Sequence, residues 1–202
     1  MAADQIGGDG QAQSGAAGAG RAGEGLEQVV LGAGGQAGAE AGKLSIMIGG
    51  DAEALARVEP VLASYAKAIK HMGLAGSGQL TKMANQIAIA GVVQGLAEAV
   101  HFAQGAGLDT DAVYEAISQG AAQSWQMDNR WKTAAAGQFD FGFAVDWMRK
   151  DLGLVLDEAR ANGSHLAVTA LGDQFYSEVQ AMGGSRWDTS SLAARLQARK
   201  RP

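Results

Sequence analysis

The chain of 202 residues contains no cysteine. That excludes disulfides, thiolate nucleophiles and cysteine-based zinc sites, and it leaves the redox compartment open. Histidine is scarce. His71, His101 and His165 form no HxH or HxxxH pair, which argues against a metal centre. Proline occurs twice, at Pro60 and Pro202, so little interrupts helices. Positive charge is in deficit, with 16 Lys and Arg against 21 Asp and Glu and a net charge of −5. A nucleic-acid partner is therefore not expected, because such proteins concentrate basic residues on one face. The basic cluster at residues 195–201 is accounted for by a solvated helix end. Long apolar runs are also missing. The longest, near residues 87–93, falls well short of the roughly 18–20 residues a membrane span needs. The N-terminus lacks the basic and apolar stretches of a secretory signal. Together these absences point to a cytoplasmic protein with no membrane partner.

Glycine is abundant but uneven, with 15 of the 30 in the first 50 residues. Residues 7–25 hold almost nothing but Gly, Ala, Gln, Ser and isolated charges. A segment of that kind cannot offset its backbone entropy by burial, so residues 1–34 are expected to be a disordered or altered segment. Within it, Gly18-Ala19-Gly20-Arg21-Ala22-Gly23 fits the G-x-G-x-x-G fingerprint. The fingerprint holds a pyrophosphate only between a strand and a helix, and residues 11–17 do not suit a strand. The match is read as chance.

The run Leu44-Ser45-Ile46-Met47-Ile48, closed by Gly49-Gly50, predicts a buried strand. Asp51 then caps a helix carrying Leu55, Val58, Leu62 and Tyr65, which Pro60 should kink or interrupt. Residues 68–72 predict a second short strand before a glycine turn at 73–78. From there on the pattern is helical. A long helix over 79–104 is apolar on all sides in its middle, which predicts burial within a helical domain. Gly91 and Gly95 share one face of it, where a second helix can approach. Shorter helices follow over 110–117, 121–136, 145–161, 168–182 and 190–197. Two strands followed by about six helices describe the end of an α/β domain running into an all-α domain.

The chemistry concentrates at the start of the long helix, in Gly76-Ser77-Gly78-Gln79-Leu80-Thr81-Lys82-Met83-Ala84-Asn85-Gln86. Lys82 and Asn85 are one turn apart and share a face. A lysine facing a partly desolvated cleft near a helix N-terminus is disfavoured in its charged form, which suits a proton donor and acceptor. The competing account is a lysine snorkelling off an apolar helix.

The same run resembles the catalytic signature of the β-hydroxyacid dehydrogenases, which include 3-hydroxyisobutyrate dehydrogenase and tartronate semialdehyde reductase. Lys150-Asp151-Leu152 is similar to a second family element, and residues 34–51 are similar to the strand region after the family's substrate-binding motif. The resemblance covers roughly residues 34–197. It implies a mainly α fold, a 6-phosphogluconate-dehydrogenase-C-terminal-like helical domain preceded by one or two short strands. Residues 35–74 would be a remnant of the nucleotide-binding domain, 75–197 the all-α domain and 198–202 a tail. The N-terminal Rossmann domain is expected to be lacking.

The resemblance also implies roles. Lys82 would be the general acid/base. Asn85, Gly34, Gly35 and Gly78 would bind substrate, and Lys150 and Gly76 would meet the cofactor, NAD or NADP. Lys150 has a competing account, an exposed lysine paired with Asp146. Gly76 and Gly78 have one too, a plain tight turn. Where the family carries D-A-P-V-S-G-G, this chain has Val30-Leu31-Gly32-Ala33-Gly34-Gly35, without the acid, the proline or the serine. The expected activity is NAD(P)-dependent oxidoreduction of a small β-hydroxyacid or its semialdehyde by a homodimer formed through the helical domain. The alternative is a non-catalytic helical oligomerisation module derived from such an enzyme.

Overall fold

The computed structural model describes residues 28–32 and 35–198. The expectations for residues 1–27, Gly34 and residues 199–202 lie outside these. The chain divides into two compact units, Met1–Lys82 and Met83–Pro202.

The first unit is built on a three-stranded sheet. β1 (Gln28–Gly32) pairs antiparallel with β2 (Leu44–Gly49), which pairs in parallel with β3 (Ala66–Gly73). A six-residue helix, α1 (Gly35–Glu40), joins the first two strands, and α2 (Ala52–Leu62) crosses from β2 to β3. β1 is a strand that the sequence pattern does not contain, so the sheet has three strands where one or two are expected. Its residues sit among glycines, and its pairing with Ile46 and Ile48 across the ladder is a tertiary fact that local pattern cannot carry.

β2 alternates as a strand with one covered face should. Leu44, Ile46 and Ile48 are buried and pack with Leu55 and Leu62 of α2. Each such side chain contributes about 1.5–3 kcal/mol on leaving water. Asp51 caps α2 by accepting from the Ala54 amide at 2.8 Å. Pro60 does not interrupt that helix, which runs on two residues to Leu62. It forgoes the one bond an N–H at 60 would give to the Ala56 carbonyl, and packing of Leu55 and Leu62 against β2 offsets that loss.

α3 (Ser77–Gly105) begins in the first unit and runs on into the second. The second unit adds α4 (Thr110–Ile117), α5 (Trp125–Ala135), α6 (Val145–Asn162), α7 (Ala167–Ala181), a 3₁₀ turn at Thr189–Ser191 and α8 (Leu192–Gln197). Ser124, Asp109 and Asp188 supply side-chain caps, and Gly163 ends α6 at φ 77°. These boundaries follow the turn and cap residues legible in the chain. The helix begun at 121 in the sequence pattern starts instead at Trp125, because Ser124 takes the cap.

Ala90, Val93 and Ala97 of α3 meet Val145, Met148 and Leu152 of α6, with Tyr176, Val179 and Leu192 closing the core. Val100, Met127 and Trp131 form a second cluster. α3 is not covered on all sides, since Ala84, Ala88, Val92, Gly95 and Phe102 are exposed along one face. α3 is also long and apolar enough, by length and composition alone, to cross a membrane. The uninterrupted run missed this because scattered Gln, Gly and His break it. A core helix of a helical domain passes the same test, and the packed face of α3 is of that kind.

Candidate functional site

In the first unit the end of β2 and the start of α3 lie backbone against backbone. A Cβ at Gly78 would sit 2.7 Å from the Met47 carbonyl oxygen. One at Gly49 would sit 2.4 Å from the Leu74 carbonyl oxygen and 2.8 Å from the Ser77 amide nitrogen. Gly78 is therefore required by the fold's own packing. Gly76 has φ 91° with nothing near its Cβ position, and its carbonyl accepts from the Leu80 amide at 3.1 Å. It is a turn glycine of the kind that favours positive φ. Thr81 turns its hydroxyl back to the Ser77 carbonyl at 2.8 Å. Lys82 follows, half-buried. Gly35 opens α1.

In the second unit a chain of polar contacts joins α3 to α6. Asn85 Nδ2 donates to Gln86 Oε1 at 3.0 Å. Gln86 Nε2 donates to Asp151 Oδ2 at 2.8 Å and also meets Met148 Sδ at 3.8 Å. Lys150 Nζ pairs with Asp151 Oδ1 at 3.2 Å. Gln86 and Asp151 are buried, at 2% and 8% exposure, whereas Lys150 is exposed and Asn85 half-buried. Lys150 pairs with its neighbour Asp151, and Asp146, the partner expected for it, accepts from Gln180.

Thus Asn85 and Lys150, both singled out from sequence, are tied together through Gln86 and Asp151, which were not. A signal for the latter pair existed. Gln86 falls on the buried stripe of α3 that continues through Ala90, Val93, Ala97 and Val100. Asp151 falls beside Met148, Leu152 and Val155 in that of α6. A polar residue on an apolar stripe has to find a buried partner.

Elsewhere in the second unit the strongest polar cluster holds loops together. Asp188, 1% exposed, accepts from Arg130 Nε, the Phe143 amide, and the amide and hydroxyl of Ser190 at 2.7–3.1 Å. Arg130 lies between the rings of Trp125 and Phe141. Burial, with a smaller contribution from the Asp188 charge, pushes the Tyr176 phenol well above its ordinary range. Arg149 binds Asp173 through two hydrogen bonds, which raise its pKa further. The first cluster ties α5 to the 139–144 loop and the 3₁₀ turn, and the second joins α6 to α7.

Two family models match the chain. One, described as NAD-binding of NADP-dependent 3-hydroxyisobutyrate dehydrogenase, covers residues 76–196. The other, the NAD binding domain of 6-phosphogluconate dehydrogenase, covers residues 22–73. The chain belongs to the β-hydroxyacid dehydrogenase family. An oxidoreductase of Shewanella frigidimarina is 67% identical over 81% of this chain and 56% of that protein. The 2-hydroxy-3-oxopropionate reductase of Escherichia coli K12 is 37% identical over 81% of this chain and 56% of its own length. Among solved structures, Mycobacterium tuberculosis 3-hydroxyisobutyrate dehydrogenase with L-serine matches at TM-score 0.76 and 29% identity. That match covers 85% of this chain and 60% of that one. The chain thus spans about half the length of the curated relatives it matches. The expected fold, a mainly α domain preceded by short strands, is the one found.

Members of this family are nicotinamide enzymes. Gly49 and Gly78, at the end of β2 and the start of α3, do not fit a pyrophosphate. The space at Gly49 and Gly78 is filled by the protein's own backbone, not left open as a cradle. What the described residues do offer is a small polar surface of a carboxamide and an amine on buried supports.

Proposed function

We propose that this chain carries the substrate-handling part of an NAD(P)-dependent oxidoreductase that acts on a small β-hydroxyacid or its semialdehyde. Lys82 is the general acid/base, taking the hydroxyl proton in oxidation and returning one to the carbonyl oxygen in reduction. Asn85, three positions further along α3, hydrogen-bonds the substrate. Lys150 offers a positive charge to an anionic group of cofactor or substrate. Gly34, Gly35 and Gly78 are further substrate-binding positions, and Gly76 meets the cofactor. The observation that carries the reading is the joining of Asn85 to Lys150 through two buried polar residues. Burying Gln86 and Asp151 costs stability unless they serve each other, and here they hold two surface groups in fixed relation. In this reading it acts in the cytoplasm as a homodimer.

The test is to titrate the chain with NADH and NADPH by fluorescence, then follow oxidation of 3-hydroxyisobutyrate at 340 nm. Lys82→Ala should lower kcat by roughly 10²–10⁴, the usual worth of a positioned proton-transfer group, with cofactor affinity unchanged. Turnover retained in that variant removes Lys82 from the mechanism. A second reading rests on the exposed apolar face of α3, that of a helical oligomerisation module without catalysis. Absence of nicotinamide binding at millimolar concentration selects it.

A further inference from the structure

The polarity of the Asn85–Gln86–Asp151 chain is decided at one end. We infer that Asp151 is a positioning residue. Through Gln86 it fixes which end of the Asn85 carboxamide is left for a ligand, and so selects ligands that bring a hydrogen-bond donor. This rests on the reading of Asn85 as substrate-binding.

An ionised carboxylate only accepts, and Asp151 already takes the Lys150 ammonium on Oδ1 at 3.2 Å. Gln86 must therefore present its NH₂ group to Oδ2, as it does at 2.8 Å. The opposite orientation would set two oxygens against each other in a site where Gln86 is 2% exposed. With its nitrogen committed to Asp151 and to Met148 Sδ, Gln86 has only Oε1 to turn toward Asn85. Asn85 must then donate, and it does, from Nδ2 at 3.0 Å.

Two amides that can each flip in isolation are thereby locked by a carboxylate two contacts away. Asn85 keeps Oδ1 as its unspent acceptor, on a half-buried side chain. A hydroxyl or ammonium on the ligand satisfies that acceptor, whereas a ligand with a hydrogen or methyl group in its place leaves the oxygen desolvated and unpaired. The substrate class this fits is an acid bearing a free hydroxyl or amine near the carboxylate, held by that group in its alcohol or ammonium form.

The experiment uses the full chain, labelled with ¹⁵N and ¹³C. In the wild type, scalar coupling across the hydrogen bond should run from the Asn85 side-chain nitrogen to the Gln86 side-chain carbonyl carbon. Coupling in the reverse direction overturns the inference without need of any variant. Asn85 side-chain resonances are then followed on titration with 3-hydroxyisobutyrate and with isobutyrate, which differs by the hydroxyl alone. The wild type should prefer the hydroxyacid by roughly 3- to 10-fold, the worth of one neutral hydrogen bond. Asp151→Asn, isosteric but able to donate, should reduce that ratio toward one, and Asp151→Glu should restore part of it. An unchanged ratio in Asp151→Asn overturns the inference. If the coupling runs as expected but neither acid perturbs Asn85, the selective role is overturned together with the substrate-binding reading, and only the fixed amide remains. A preference in which Asp151 has no part sinks the relay alone.

Discussion

Single residues in this protein are held most firmly where a buried charge has several donors. Asp188 gathers Arg130, two backbone amides and the Ser190 hydroxyl. The neighbouring Gly142, at φ 72°, has no room for a side chain because a Cβ there would run into the carboxylate. Removing the carboxylate leaves those donors and a partly buried guanidinium without an acceptor. Asp188→Ala is therefore expected to destabilise the second unit by about 3 kcal/mol, read as a lowered urea midpoint at unchanged slope. A loss under about 0.5 kcal/mol would mean that water replaces the carboxylate, and that the cluster is not what holds α5 to the 139–144 loop. Asp151 is buried for a different reason. Its two oxygens are divided between Lys150 and Gln86, so it links groups and does not tie down a loop.

Among the elements, the join of β2 to α3 sets the geometry of the motif that carries Lys82. The two segments pass so closely that glycine is needed at both 49 and 78. The substrate-contact role expected for Gly78 thus competes with a packing role that alone suffices to require it. Gly78→Ala should cost about 1–3 kcal/mol through a forced backbone shift. Gly153→Ala serves as the contrast, since Gly153 lies inside α6 with nothing within 4 Å of its Cβ position. That change should be neutral or stabilising by up to about 1 kcal/mol. Thermal melts of the two variants check this, and equal behaviour would refute the close approach. α2 teaches a smaller lesson. Proline in a helix interior is disruptive, yet Pro60 falls in the final turn. The helix still continues to Leu62, so its packed face outweighs the single bond that residue 60 cannot give to the Ala56 carbonyl.

For the molecule as a whole, the open question of assembly falls on α3. One face packs into the core of the second unit, while Ala84, Ala88, Val92, Gly95 and Phe102 remain exposed along the other, Phe102 at 73%. Small residues flanked by larger apolar ones allow a second helix to come close. Sedimentation should give twice the 20.6 kDa of one chain, and Val92→Lys combined with Phe102→Glu should return it to the monomer mass. A wild type that is monomeric at tens of micromolar would remove the homodimer from the account.

Sequence alone settled what depends on neighbours along the chain. The alternation of Leu44, Ile46 and Ile48 specified β2, and the side-chain cap at Asp51 marked the start of α2, whereas the cap at Ser124 became visible only in the fold. The stripes of Met148, Leu152 and Val155 placed the covered face of α6. The motif around Lys82 and Asn85 was legible as well, because its residues lie within about three turns of the start of a single helix. Tertiary structure decided the rest. β1 exists through its partner strand, and the exposed side of α3 is visible only once its covered side is known. The link from Asn85 to Lys150 crosses 65 positions between Gln86 and Asp151. Periodicity reports which face a residue occupies, but not which buried oxygen a buried nitrogen will meet. That pairing is set by two helices coming together, and no local pattern in the sequence encodes it.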